Sequence, residues 1–339
     1  MSTRPLIAAL LLGAVLAPLA NARADEVNLY TTREPGLMQP LIEAFTAETG
    51  VAVNTIFLKD GVAERVAAEG TSSPADVLMT VDLGKLVDLV DAGLTQPLDS
   101  EAMNAAVPAP LRDANGNWFA LSMRARVAYA APDLKLETLT YENLADPVWK
   151  GRICIRSGQH PYNTALVAAF LVRHGEDATR TWLKGVKANL ARKPGGGDRD
   201  VARDITGDLC DLGIGNSYYV GLMRGGHGGP ESKAWGDGID VVLPVFEGGG
   251  THVNISGAAL AKHAPNRDKA VRFLEFLVSD EAQAIYARAN FEYPVKAGVA
   301  IDPIIAALGD LTIDDTHLEA IARQRKAASE LIDEVGFDQ

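Results

Sequence analysis

The chain has 339 residues, 47% hydrophobic and 22% charged, with 32 glycines and 17 prolines, a globular composition rather than a disordered or fibrous one. A formal net charge of -12 with no basic block argues against nucleic acid and against anionic membrane surfaces as partners. The charge of a local cleft can still oppose that global sign.

At the N-terminus, Arg4 precedes an apolar run over residues 6–16, followed by Pro18 and then Ala22-Arg23-Ala24, a small-x-small pattern. The run is shorter than the about 20 residues needed to span a bilayer. Residues 1–24 are therefore predicted to be a cleaved signal peptide, with a soluble mature chain in the periplasm. What remains, roughly 315 residues, is long enough for two lobes.

Val27-Asn28-Leu29-Tyr30 reads as a short strand running into the polar turn Thr31-Thr32-Arg33-Glu34-Pro35-Gly36. Leu41, Ile42 and Phe45 share a helical face that Gly50 ends, and residues 51–58 form a second strand, which completes a βαβ unit. In open α/β sheets ligands bind at the carboxyl ends of strands, where the first loop lies. Residues 75–81 are a buried strand, followed by a helix holding Leu86, Val87, Leu89 and Val90, with Gly93 as a stop. Residues 97–118 read as irregular. The first interlobe crossing is placed within 118–129. A second α/β series opens at 149–155, with helices over 163–172 and 179–190 and another holding Val201 and Ile205. Residues 212–215 are a strand ending at Asn216-Ser217-Tyr218-Tyr219. Residues 241–245 are expected to lead back to the first lobe, and the helical remainder to pack on that lobe.

The two cysteines, Cys154 and Cys210, flank segments read as neighbouring strands and lack CxxC spacing. They read as a structural disulfide, with two buried thiols as the alternative. No GxSxG elbow, HExxH helix or P-loop occurs, so no enzyme signature is present.

Tyr218-Tyr219 is the most informative pair. Neighbours on an extended strand point to opposite faces, so both can reach one ligand only where the chain turns. Asn216-Ser217 before the pair and Gly221 after it supply such a turn. The bland reading, one core and one surface tyrosine, competes with this. The run Gly215-Asn216-Ser217-Tyr218-Tyr219-Val220-Gly221 resembles the tyrosine-pair motif of periplasmic ferric-iron-binding proteins. Ser157-Gly158-Gln159-His160-Pro161-Tyr162-Asn163 resembles the third-tyrosine segment of the same family, and Gly197-Asp198-Arg199-Asp200 and the opening Tyr30-to-Pro35 loop match in order. The resemblance covers essentially the whole mature chain.

The resemblance implies a type II periplasmic-binding-protein fold of class α/β, two lobes joined by hinge strands. Lobe 1 would comprise residues 25–125, lobe 2 residues 126–246, and residues 247–339 would return to lobe 1 and add C-terminal helices. It implies Fe(III) as cargo, held by Tyr162, Tyr218 and Tyr219. Such a hard cation prefers anionic oxygen, and three phenolates neutralise its charge. A synergistic anion such as carbonate would meet Arg33, Arg124, Ser157 and Gln159. Family relatives with His or Tyr after the opening Arg differ from this chain, which has Glu34-Pro35 there. Glu34 and His160 are open as ligands, with solvated and supporting roles as the plainer readings. The implied partner of a monomeric carrier is an ABC permease in the inner membrane. Two rivals stand beside this reading: the same fold binding a small organic or phosphonate solute, and a periplasmic ferric-tyrosinate enzyme.

Overall fold

The computed structural model describes residues 25–339, so the predicted signal peptide lies outside the described residues. The chain opens with β1 (Glu26–Thr31), α1 (Pro35–Thr49) and β2 (Ala52–Phe57). β1 and β2 pair in parallel from Glu26↔Ala52 to Thr31↔Phe57, which is the predicted βαβ unit. Pro35 starts α1 at a position where an N–H would have no helical partner. Met38, Leu41 and Phe45 turn inward, and Gly50 closes the helix at φ 71°, a left-handed conformation that costs glycine little. Then come α2 (Val62–Glu69), β3 (Val77–Thr80), α3 (Leu83–Asp91) and β4 (Thr95–Gln96). Residues 97–118, expected to be irregular, contain α4 (Glu101–Ala106), started by Ser100, whose hydroxyl accepts the Met103 N–H.

β5 (Phe119–Ala130) is followed by β6 (Ile153–Cys154), α5 (Pro161–His174), α6 (Glu176–Ala188), α7 (Asp198–Thr206), β7 (Leu212–Asn216), α8 (Ser217–Arg224), α9 (Gly229–Asp237) and β8 (Asp240–Val242). The chain then runs through β9 (Val253–Ala261), α10 (Arg267–Leu277), α11 (Asp280–Asn290), β10 (Tyr293–Pro294), α12 (Pro303–Ala306), α13 (Leu318–Arg323) and α14 (Arg325–Val335). The strand order is β2-β1-β3-β9-β5-β7-β6, with β4 beside β9 and both β8 and β10 beside β5.

β5 is the pivot of this arrangement. All twelve of its residues are buried. Its first half pairs antiparallel with β9, ending at Ala125↔Val253, and its second half pairs with β7, starting at Arg126↔Asn216. One continuous strand thus serves two sheets, and the two-lobed α/β plan follows. Each lobe has its own aromatic packing. Phe45 contacts Phe273 and Phe276 at 4.9 and 5.4 Å between centroids in the first, and Phe170 stacks on Trp182 at 4.0 Å in the second.

The structure refines two expectations and corrects a third. The segment expected to lead back at 241–245 contains the end of β8, which runs antiparallel to the second half of β5 toward the crossing, Ala130↔Asp240 to Ala128↔Val242; the first-lobe sheet is then entered by β9. β-branched composition marks a strand but not its partner. The second α/β series, expected to open at 149–155, opens there with the short strand Ile153–Cys154, after a 3-10 turn over Pro147–Trp149. Finally, α10 and α11 pack on α1 of the first lobe as expected, but α14 packs on α5 and α6, and α13 bridges α3 and α5. Cys154 and Cys210 form a disulfide with Cα atoms 5.9 Å apart, tying β6 to the approach of β7.

Candidate metal centre

Tyr218 and Tyr219 lie in the first turn of α8, directly after the buried end of β7. Successive helical residues are separated by about 100°, not the half-turn of a strand, so both rings reach one side. The helix begins where it does because Asn216 is still extended, at φ -90° and ψ 143°, and the Tyr129 hydroxyl donates to its carbonyl at 2.9 Å. Gly215 permits that approach: a Cβ there would lie 2.2 Å from the Tyr129 ring. Tyr162 occupies the first turn of α5, after Pro161, and its backbone N–H donates to His160 Nδ1 at 3.3 Å.

The two helix starts converge. Tyr162 Oη and Tyr218 Oη are 3.4 Å apart, and the rings of Tyr218 and Tyr219 lie 4.2 Å apart at 30°. Oxygens so spaced can share one small cation, whose oxygen ligands sit about 2.0–2.2 Å away. Burial pushes the Tyr218 phenol well above its ordinary range, and the neighbouring Tyr162 and Tyr219 add to the shift. Tyr219 is raised in the same sense, by burial first and then by Tyr162 and Asp198. Without a cation these protons stay on. The N-terminal ends of two helices, with their positive partial charge, favour anionic oxygen here once a cation displaces the protons.

The three tyrosines line one cavity of about 430 Å³ with Arg33, Arg124, Arg156, Arg199, His160, Lys59, Glu34 and Glu292, drawn from both lobes. Arg33 and Arg124 are both buried, at 3% and 1% exposure, but they differ in charge balance. Arg33 Nη2 pairs with Glu292 at 2.6 Å and donates to Ser256 Oγ at 2.6 Å, so its charge is already answered. Arg124 donates to Ser256 Oγ at 3.0 Å and to the Val81 carbonyl, and its guanidinium sits 5.4 Å from the Tyr162 ring centroid. Arg199, 5.2 Å from the Tyr219 ring, like Arg124 has an Nε without a partner; among the described residues neither guanidinium has a carboxylate partner. Arg156 pairs with Asp198 at 3.0 Å. Burial, and then Arg156, lower His160 to about 4, so its ring is neutral at pH 7. Glu34 is exposed at the rim.

Ser157 and Gln159 do not join this cavity. Ser157 Oγ donates to Asp338 Oδ2 at 2.5 Å, and Gln159 Nε2 donates to the Ser329 carbonyl and to Asp333 Oδ1 at 2.9 and 2.8 Å. The packing of α14 on α5 captures both side chains. Gln159 instead lines a larger cavity, about 680 Å³, that contains none of the tyrosines. Sequence reasoning missed Arg199, Arg156, Lys59 and Glu292 as lining groups. The Gly197-to-Asp200 run was a signal for the first alone, and nothing local marked the others.

Among the described residues, no group of three or more His, Cys, Asp and Glu side chains is placed to hold a metal ion. The cavity offers instead three clustered phenol oxygens beside Glu34 and Glu292, and phenol oxygens, once deprotonated, are of the anionic oxygen type that a hard trivalent cation prefers.

Comparison with known proteins extends these observations. Residues 72–305 match the family of bacterial extracellular solute-binding proteins. The chain is 43% identical over 326 residues to iron uptake protein A1 of Synechocystis sp., covering 95% of this chain and 90% of that one. It is similar to the solved structure of a Bordetella ferric binding protein, with 60% identity, TM-score 0.89, and coverage of 93% of this chain and all of that one. It is also similar to a Trichodesmium protein (IdiA, FutA) solved in complex with iron and citrate ligands, with 40% identity and TM-score 0.87, covering 92% of this chain and 99% of that one.

Proposed function

This chain belongs to the family of bacterial extracellular solute-binding proteins, and from that premise we propose that it captures ferric iron in the periplasm and delivers it to an ABC importer. The observation that carries the reading is the 3.4 Å approach of the Tyr162 and Tyr218 hydroxyls, with Tyr219 against Tyr218, in a cleft lined from both lobes. Three phenolates would match the charge of one Fe(III) and displace their protons as they bind.

The remaining coordination positions would take a small anion such as carbonate, or the donor groups of a chelate. Arg124 and Arg199 are its best partners, because among the described residues neither guanidinium pairs with a carboxylate, whereas Arg33 and Arg156 pair with Glu292 and Asp198. Arg33 lines the same cavity but serves Glu292 first. The lobes would close on the cargo by rotation where β5 changes partners, at Ala125 and Arg126, and at the matching entry to β9. The export signal at 1–24 would bring the chain to the periplasm, where it would act as a monomeric carrier, without catalysis, and dock transiently on the inner-membrane permease.

The test is optical and quantitative. Purified protein loaded with ferric citrate is expected to show a visible phenolate-to-iron charge-transfer band, and each single Tyr→Phe change at 162, 218 and 219 to weaken ferric affinity and alter that band. Retention of wild-type ferric affinity by the triple Phe variant would falsify the assignment. A colourless protein that binds an organic solute would favour the rival cargo.

A further inference from the structure

We infer that Arg126, locked by Asp198, is the positioning residue that fixes the distance between Tyr162 and the Tyr218–Tyr219 pair. This rests on the tyrosine-site reading above and adds what holds that site at its spacing. Arg126 is absent from the cavity lining and 2% exposed, so it acts through other residues.

Its guanidinium is a fork with one prong on each tyrosine-bearing helix start. Arg126 Nη2 donates to Asn163 Oδ1 at 2.6 Å, and Asn163 is the residue after Tyr162. Arg126 Nη1 donates to Asn216 Oδ1 at 3.0 Å, and Asn216 is the N-cap of the helix that carries Tyr218 and Tyr219. Asp198 closes the figure. Its Oδ2 accepts from Arg126 Nη1 at 2.9 Å and from the Asn216 backbone N–H at 2.8 Å, while its Oδ1 accepts from Arg156 at 3.0 Å. Asn163 Nδ2 then donates to the carbonyls of Arg156 and Ser157 at 3.0 and 3.1 Å, which pins the loop into α5. Tyr162 and Tyr218 are 56 residues apart in sequence, and this planar group is a direct hydrogen-bonded bridge between the two helix starts.

Stability alone is a poor reason for such a pair. Desolvating two charges offsets most of their attraction, and apolar replacements of a buried ion pair are often neutral or better. Geometry is the better reason, because a rigid guanidinium sets three acceptors in one plane and an ammonium cannot. Arg126 is also the first β5 residue paired with β7, and its N–H donates to the His252 carbonyl at 2.9 Å, on the segment entering β9. The side chain that spaces the tyrosines therefore grows from the backbone at the lobe crossing.

The decisive variant is Arg126→Lys, which keeps the charge and loses the fork. Its ferric affinity, measured by competition against citrate, is expected to fall about 10–100-fold, as for other groups that orient metal ligands, and its charge-transfer band to shift or weaken. Arg152→Lys is the control, since Arg152 pairs with Asp211 at the far end of β7; it is expected to move the melting temperature without moving the band. If Arg126→Lys does not fold, Asn216→Ala removes one prong alone and is expected to show the same loss and band change. Wild-type affinity with an unshifted band in the folded Arg126→Lys variant, or in Asn216→Ala where that variant stands in, overturns the inference and leaves the tyrosine site intact. Absence of a band in the wild-type protein overturns the tyrosine site, and this inference with it.

Discussion

Ferric loading at neutral pH should drive three protons off the protein. A free phenol titrates near 10, so ionising one at pH 7 costs about 4 kcal/mol. The fold adds to that cost for two of the three tyrosines: burial and the crowded neighbouring hydroxyls hold the protons on Tyr218 and Tyr219 more tightly still. The cation must supply all of this, and the apparent affinity must therefore depend steeply on pH. With three protons exchanged, affinity should rise about 1000-fold per pH unit through the neutral range, the usual linkage for a ligand that displaces protons. Calorimetry in two buffers of different ionisation enthalpy counts those protons directly, with the donor chelate's own release measured in a protein-free blank. A competition series from pH 6 to 8 gives the slope independently. Release of one proton or none, with a flat slope, would refute the idea that three phenolates form on binding, whatever the colour of the complex.

Two further expectations concern stability. The Cys154–Cys210 disulfide closes a sequence separation of 56 residues, and loop entropy puts its contribution at about 4 kcal/mol; the double Cys→Ala variant should lose several kcal/mol in urea titration while its ferric band stays in place, and a loss under about 1 kcal/mol would contradict this. His252 is buried, its Nε2 has no partner among the described residues, and burial with the nearby Arg126 lowers it to about 4. Its folded pKa is depressed, so the unfolded chain takes up the proton first, and stability should fall as pH drops from about 6.5 towards 4 and level off below. His252→Gln should remove about 2–3 kcal/mol of the loss between pH 7 and 4.5; an unchanged acid limb would show that the ring is not held neutral.

The local parts of this protein were legible from residue order. The βαβ opening, the Gly50 stop, the helix read over 163–172 and the turn at Asn216-Ser217 all depend on neighbours within a few positions, where backbone preferences act directly. The same holds for Tyr218 and Tyr219, whose adjacency asked for a turn; the structure supplied it as a helix start.

Long-range pairing was decided elsewhere. Residues 240–242 and 253–261 are both β-prone, yet only the second joins the first-lobe sheet, because partner choice depends on which edge of β5 is free in three dimensions. The arginines make the same point most sharply. In sequence, Arg33, Arg124 and Arg126 carry the same charge, and Arg33 and Arg124 are read as the anion's partners. Tertiary structure gives the first a buried carboxylate, the second neutral oxygens and a place over the Tyr162 ring, and the third a fork behind the tyrosines. Ser157 and Gln159 sit in the right segment and were drawn away by residues more than 150 positions distant. A side chain's type is fixed by its codon, but its charge balance is set by what the fold brings within a few ångströms, since electrostatic and hydrogen-bond energies fall off over that range.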